Sequence, residues 1–252
     1  MWSFCLHSIF REHGWQFLRW IAIPHPVKTV RAVIDSGALD YSGNMTAIST
    51  EQQYQGLEGE GSIIGIGFCM KPTDPPCLSG RANHRCHYLE HLLHYETKEI
   101  PVCCRQCVIR EIGMMTLNAG AAFYIMCSAK DILFDLFIPS LNKGRFSSGL
   151  FVLCRYSLRP FTVGLLASGI RGCLFPFERG ACRNYKSWLL SVNGINEKKT
   201  EINESNQKAI SELLGKGCKV PMLNTEFERR GNILYPRKAG TKRAQRTDAD
   251  DA

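Results

Sequence analysis

The chain is expected to fold as a small, three-layer α/β domain around a mainly parallel sheet, with a cysteine-rich segment ahead of it. Three observations predict this. Short apolar runs, AAFYIMC at 121–127, GLFVLC at 149–154 and GCLFPF at 172–177, alternate with helix-length segments, the pattern of parallel strands buried on both faces. A length of 252 residues, 44% hydrophobic and 21% charged, allows a core that needs no covalent cross-links. Most of the twelve cysteines fall between Cys69 and Cys182, in and around that alternation.

Residues 1–60 show no sustained helical or strand period and end in the polar, glycine-rich passage EQQYQGLEGEGS, which reads as linker. The segment is expected to be peripheral and to add little stability. Met45 stands just before the linker, so translation starting there, with residues 1–44 an upstream extension, is one reading. A genuine aromatic helix from Phe4 to Trp20 is the other. Arg11, Glu12, His13 and Arg19 interrupt every stretch that would serve as a signal-peptide core, and no apolar run is long enough to span a bilayer. A cytoplasmic, non-membrane protein is expected.

IIGIGFC at 63–69 reads as a buried strand, and the following KPTDPPC as a loop bracketed by Cys69 and Cys77. Helices are expected at 84–94 and 108–117, with the turn Cys103-Cys104-x-x-Cys107 between them. From there the order is strand 121–127, helix 129–137 stopped by Pro139, strand 149–154, helix 161–168 and strand 172–177. This Rossmann-like βαβαβ unit places ligands outside the carboxyl ends of its strands, where Cys127 and Cys154 fall. A cysteine-rich α/β domain over 61–195 is therefore followed by a helical extension, 196–235, containing a helix at 200–214, and by a disordered tail, 236–252. The formal net charge is +8, of which that tail supplies only +2, five basic residues less three aspartates, so no basic arm dominates.

Chemistry is carried by sulfur. A Cys-x-x-Cys turn aims two thiolates at one ion while the backbone N–H groups between them support the sulfurs, which makes Cys104 and Cys107 the strongest ligand pair. Cys69 and Cys77 join them as expected metal ligands, and Cys154 and Cys182 complete the cofactor-binding set. A second Cys-x-x-Cys, needed for a zinc ribbon, is missing, and the scattered spacing suits an iron–sulfur cluster better. Adjacent side chains diverge, so Cys103 and Cys104 are not expected to face one metal, and the role of Cys86 stays open. Cys5, Cys127, Cys173 and Cys218 are read as packing residues.

Other constellations are weaker. His87, His91 and His94 share a helical face, yet the sequence lacks a His-Glu-x-x-His motif, which favours an exposed polar face. Arg155 and Arg159 lie near the sheet's carboxyl edge, where they would either hold an anionic substrate or stay solvated. Neither Gly-x-Gly-x-x-Gly, a P-loop nor a Gly-x-Ser-x-Gly elbow is present. A nucleophilic Cys154 would need its base from the helix 84–94, since no histidine follows His94.

IGFC at 66–69, Cys77, the Cys104-Arg-Gln-Cys107-Val-Ile-Arg-Glu-Ile turn, the Ala-Gly-Ala-x-Phe-Tyr-Ile strand, Val152-Leu153-Cys154 and Cys182 resemble the cysteine-rich family called domain of unknown function 116, over about residues 63–190. Two features depart from its pattern: the Cys103-Cys104-x-x-Cys107 spacing, and Cys86, which has no counterpart. The resemblance implies a metal-bearing cytosolic protein and no particular reaction. The expectation is therefore a metal-binding protein with an iron–sulfur cluster, [4Fe–4S], and a redox or radical-linked activity with a redox or small-molecule partner. A zinc-stabilised, non-catalytic binding module is the alternative, and no specific nucleic-acid partner is expected.

Overall fold

The computed structural model describes residues 14–48, 57, 59, 61–94, 100–182, 184–193, 195, 199–215 and 227–236. It is a mixed α/β fold on a seven-stranded, mainly parallel sheet. The strands are β1 (Thr46–Ala47), β2 (Ser62–Gly67), β3 (Ala122–Met126), β4 (Ser148–Leu153), β5 (Arg171–Pro176), β6 (Phe227–Arg230) and β7 (Ile233–Pro236), in the spatial order β1-β5-β4-β2-β3-β7-β6. The inner pairs β2–β3, β2–β4 and β4–β5 are parallel, and antiparallel strands close both edges. All of the strands expected at 63–69, 121–127, 149–154 and 172–177 form, within a residue or two of those bounds.

Two apolar layers sandwich the sheet. Ile64, Ile66, Phe123, Ile125, Leu150, Val152 and Phe175 point to one, and Ile63, Tyr124, Phe151, Leu153 and Leu174 to the other. Burial on both faces is why these strands read as unbroken apolar runs rather than as an alternation. The first layer also takes Ile109, Ile112 and Leu117 of α3 (Val108–Asn118) and Ile210 and Leu214 of α8 (Glu204–Gly215). The second takes Leu158, Phe161 and Leu165 of α6 (Arg155–Ser168). A short helix, Trp15–Phe17, and a π-turn, Leu18–Ala22, precede α1 (Pro26–Ala38), and the other helices are α2 (His87–His94), α4 (Ala129–Ile132), α5 (Ile138–Lys143) and α7 (Tyr185–Val192).

Prolines misled the helix boundaries twice. Pro139 does not end a helix: a π-turn, Leu133–Phe137, widens the backbone just before it, and Pro139 sits at the start of α5, where no N–H is needed. Pro160 lies inside α6, which begins at Arg155 rather than at Phe161. One missing hydrogen bond is outweighed there by buried Leu158, Phe161 and Leu165.

The ends of the chain are more engaged than composition suggested. β1 pairs with β5, α1 packs along α6, Ile21 is fully buried and Ala32 is 2% exposed, so residues 14–48 are part of the folded body. The region 196–235 is not wholly helical, because β6 and β7 form a hairpin around Gly231, whose φ of +60° suits the left-handed turn. The Gly-Asn pair between Arg230 and Ile233 was the available signal. Residues 237–252, read as a disordered tail, lie outside the described residues, as does most of the proposed linker. No described helix is long and apolar enough to cross a membrane.

Replacing Ile21 by alanine tests the N-terminal docking. The loss should be about 2 to 4 kcal/mol of stability in urea unfolding, the range for a buried aliphatic side chain. An unchanged midpoint would return this segment to the periphery.

Candidate thiol-rich site

The four parallel strands all run toward cysteines at one edge. β2 passes into the 3-10 turn Phe68–Met70 that holds Cys69, Cys127 follows β3, Cys154 follows β4, and Cys182 lies in the loop after β5. Neighbouring strands stand about 4.8 Å apart, so the adjacent ends of β2 and β4 put Cys69 beside Cys154. The loop from Lys71 to Cys86 then carries Cys77 across the edge, and the turn Val102–Cys104 leads to Cys107 at the start of α3.

Three of these cysteines begin helices. Cys86, Cys107 and Cys154 immediately precede α2, α3 and α6. Unpaired N–H groups and the aligned peptide dipoles there favour a negative sulfur.

Two cations face the same region, Lys71 buried and Arg81 half-buried. Lys71 is 3% exposed, and its Nζ donates to the Gly80 carbonyl at 3.0 Å and to Asn83 Oδ1 at 2.7 Å. Burial holds it below the ordinary lysine range, while Cys77, Cys127, Cys86 and Glu90 pull it back up. Arg81 donates to three backbone carbonyls, Ser191 at 2.8 Å, Lys71 at 3.2 Å and Cys69 at 3.3 Å. Among the described residues neither cation is in an ion pair with a carboxylate; Glu90 is paired with Arg229 at 2.6 Å. Both positive charges thus sit among thiols, with Glu90 the carboxylate that acts on Lys71.

The six cysteines expected to converge divide into two neighbourhoods. Cys69 is pushed well up, first by burial and then by the charges of Cys154 and Cys182, with Arg81 opposing. Cys86 is pushed up to about 12 by burial, with Cys107 and Cys77 adding to the rise and Lys71 opposing it. Cys104 is also raised by burial and by Cys103, Cys86 and Cys107. The expectation that Cys103 and Cys104 diverge fails: the turn brings their sulfurs to 3.7 Å. Cys86, left without a role by its irregular spacing, stands at the centre of the second neighbourhood, because the loop 71–86 returns it under Cys77.

No three His, Cys, Asp or Glu side chains among the described residues converge tightly enough to hold a single metal ion. Around one zinc, sulfurs at about 2.3 Å from the metal stand within about 4 Å of one another. A polynuclear cluster takes each thiolate at a different metal and so accepts wider spacing. The described cysteines at this edge are free thiols.

The remaining candidates find other employment. Arg155 Nη1 donates to the carbonyls of Tyr41, Ser42 and Gly43, and Arg159 lies over the Tyr41 ring, so both secure the N-terminal segment rather than a substrate. Cys154 Sγ contacts Ser157 Oγ at 2.9 Å, whereas His84 sits at the end of β3, its Nδ1 on the Ile125 carbonyl at 2.7 Å and its Nε2 3.3 Å from Asp131. Cys173 is fully buried in β5, as expected of a packing residue, while Cys127 borders Lys71 at the edge. Cys5, Cys218 and the side chains of His91 and His94 lie outside the described residues.

All described cysteines are free thiols. Burial raises Cys86, Cys127 and Cys173 to about 12 and Cys182 to about 11, from 9.0. The folded state therefore keeps protons that the unfolded chain gives up, a stabilisation fully present below pH 9.0 and lost as pH rises toward 12. Lys71, held below 10.5, works in the opposite direction but is one group against four. Urea unfolding of metal-free protein should show stability falling between about pH 9 and about pH 11. A flat profile would mean that these thiols are solvated.

No family model matches the chain, and neither does any curated protein or solved structure with which it was compared.

Proposed function

We propose that this chain is a cytosolic iron–sulfur protein with a redox or radical-linked activity, its thiolates presented at the carboxyl edge of a Rossmann-like sheet. The observation that carries this reading is the electrostatic one. Three helix N-termini, the buried Lys71 and the half-buried Arg81, neither cation in an ion pair with a carboxylate among the described residues, converge on free thiols. With every sulfur protonated, the buried Lys71 charge is met only by neutral acceptors and by the nearby Glu90, and an incompletely balanced buried charge costs several kcal/mol. Thiolates bound to a metal cluster supply the missing negative charge, and bound iron and sulfide would add electron-transfer chemistry.

The Rossmann-like reading rests on strand order. β2 lies between β3 and β4, so the chain winds outward from β2 in both directions, and the crevice at such a reversal is where open α/β sheets hold ligands. Cys69 and Cys154 flank that crevice. The resemblance to the cysteine-rich family is consistent with the same reading, and a small-molecule or redox partner would approach at this edge.

The test is purification under anaerobic conditions followed by visible absorption and by iron, sulfide and zinc analysis. Iron and acid-labile sulfide in comparable amounts, with absorption near 400 nm (an order-of-magnitude guide to thiolate-to-iron charge transfer), are expected. Zinc alone would favour the structural-module alternative, and protein that takes up neither metal after reconstitution would end the metal reading.

A further inference from the structure

We propose that helix α1 docks its outer face on an anionic membrane surface, lying among the lipid headgroups rather than crossing the bilayer, with Trp15 and Trp20 at the same interface.

The helix is apolar where a surface helix is normally polar. α1 turns Ala32 and Ser36 inward, where it packs along α6. A helix with one buried face ordinarily carries polar side chains on the opposite one. On α1 that opposite face holds Val27, Val30 and Ile34, at steps of three and four residues, and they are 79%, 59% and 66% exposed. Gly37 continues the row, with nothing within 4 Å of a Cβ built on it. Just ahead of the helix Trp15, Trp20 and Ile23 are exposed as well. Single exposed apolar side chains are ordinary, whereas a continuous row marks a contact surface. Thirteen residues of helix are about 20 Å long, too short for the about 30 Å of a bilayer's hydrocarbon core and suited to lying in its surface plane.

Charge decides what the face meets. Between Gly14 and Ala38 the chain carries Arg19, Lys28 and Arg31 against one acid, Asp35. Asp35 is paired with Arg31 at 3.8 Å, and Arg19 lies over the Trp20 ring, 5.5 Å from its centroid. Lys28 and Arg31 stand on the flank between the inward and outward faces, from which long side chains lay their stems along apolar surface and carry their charge beyond it. A second copy of the chain would bring the same positive surplus to the contact. Three short aliphatic side chains per copy also fall short of the about 800 Å² per partner that a stable dimer buries. Anionic headgroups attract the surplus instead, and tryptophan favours headgroup depth because its ring is apolar and its N–H is polar.

The experiment is sedimentation of the full chain with vesicles of phosphatidylcholine alone and of phosphatidylcholine with phosphatidylserine at about three to one. Wild type should bind the mixed vesicles at least about tenfold more tightly than the neutral ones, and should be released as salt rises from about 0.1 M to about 0.5 M. Val30→Asp/Ile34→Asp should weaken binding to the mixed vesicles by at least about tenfold. Lys28→Glu/Arg31→Glu should remove the preference for the anionic lipid. Ile195→Asp changes a comparably exposed apolar side chain elsewhere and should bind as wild type does. Every substituted side chain is exposed, so urea midpoints should stay at the wild-type value and confirm folding.

Wild type that stays in solution with both vesicles, or Val30→Asp/Ile34→Asp that binds as wild type does, overturns the proposal. Equal binding to neutral and mixed vesicles overturns the anionic surface as the partner. A concentration-dependent dimer that Val30→Asp/Ile34→Asp dissolves, without vesicle binding, gives the face to a second copy and overturns membrane docking. Metal content enters none of these readouts, so the iron–sulfur reading stands or falls separately.

Discussion

Gly172→Ala is expected to leave the chain unable to hold its native sheet. Gly172 has a φ of +147°, outside the range that an L side chain adopts readily. It pairs with Gly149 across β4 and β5, and a Cβ built on it would stand 1.7 Å from the Gly149 carbonyl oxygen and 2.7 Å from the carbonyl carbon. The obstacle is backbone, so no rotamer change relieves it. Moving Gly172 away also pulls its carbonyl from Ile48 N–H, now at 2.8 Å, and so frees the edge strand β1. The expected cost is about 4 kcal/mol or more, a large part of the about 5 to 15 kcal/mol that holds a typical domain together. Soluble yield and urea unfolding measure it.

Gly37→Ala is the matching control, because Gly37 is in helix α1 with nothing within 4 Å of a built Cβ. It should stabilise by about 0.5 to 1 kcal/mol. Parent-like unfolding of Gly172→Ala would show that β4 and β5 do not approach as described.

Cys104→Ala and Cys107→Ala should each abolish metal bound under the proposed function, whereas Cys173→Ala and Cys218→Ala should not. Cys107 is anchored on both sides through its backbone: its N–H reaches the Cys104 carbonyl at 3.3 Å, and its carbonyl accepts from Glu111 N–H at 3.1 Å in the first turn of α3. Alanine there removes a thiolate whose position is set by the backbone, and no neighbouring loop can substitute for it. Cys173 is as deeply buried but belongs to the apolar interior of β5, so its loss costs packing of about 1 kcal/mol and leaves the ligands in place. Metal content per chain, with circular dichroism to confirm folding, separates the two cases. Equal metal in all four variants would reduce the cysteines to core packing.

Sequence alone determined the parallel strands, because burial on both faces writes itself as a continuous apolar run, and it singled out the thiols because Cys-x-x-Cys spacing is a local property of one turn. It also located Cys154 at a strand end, since a strand's length and its stop are local too. What only the tertiary structure decided was non-local. β2 enters between β3 and β4, and that insertion, invisible in chain order, is what brings Cys69 beside Cys154. Cys86 was set aside on spacing, yet the fold places it at the start of α2 within electrostatic reach of Cys107 and Cys77. Lys71 and Arg81 carry no signal in the sequence, and only packing shows Lys71 buried and Arg81 half-buried beside the thiols. The helix α1 and strand β1 gave weak periodic signals because one face of α6 and one free edge of β5 were enough to hold them. Local sequence records which side chains avoid water, whereas the partners they meet depend on strand order and loop return, which are settled by the packing of the whole chain.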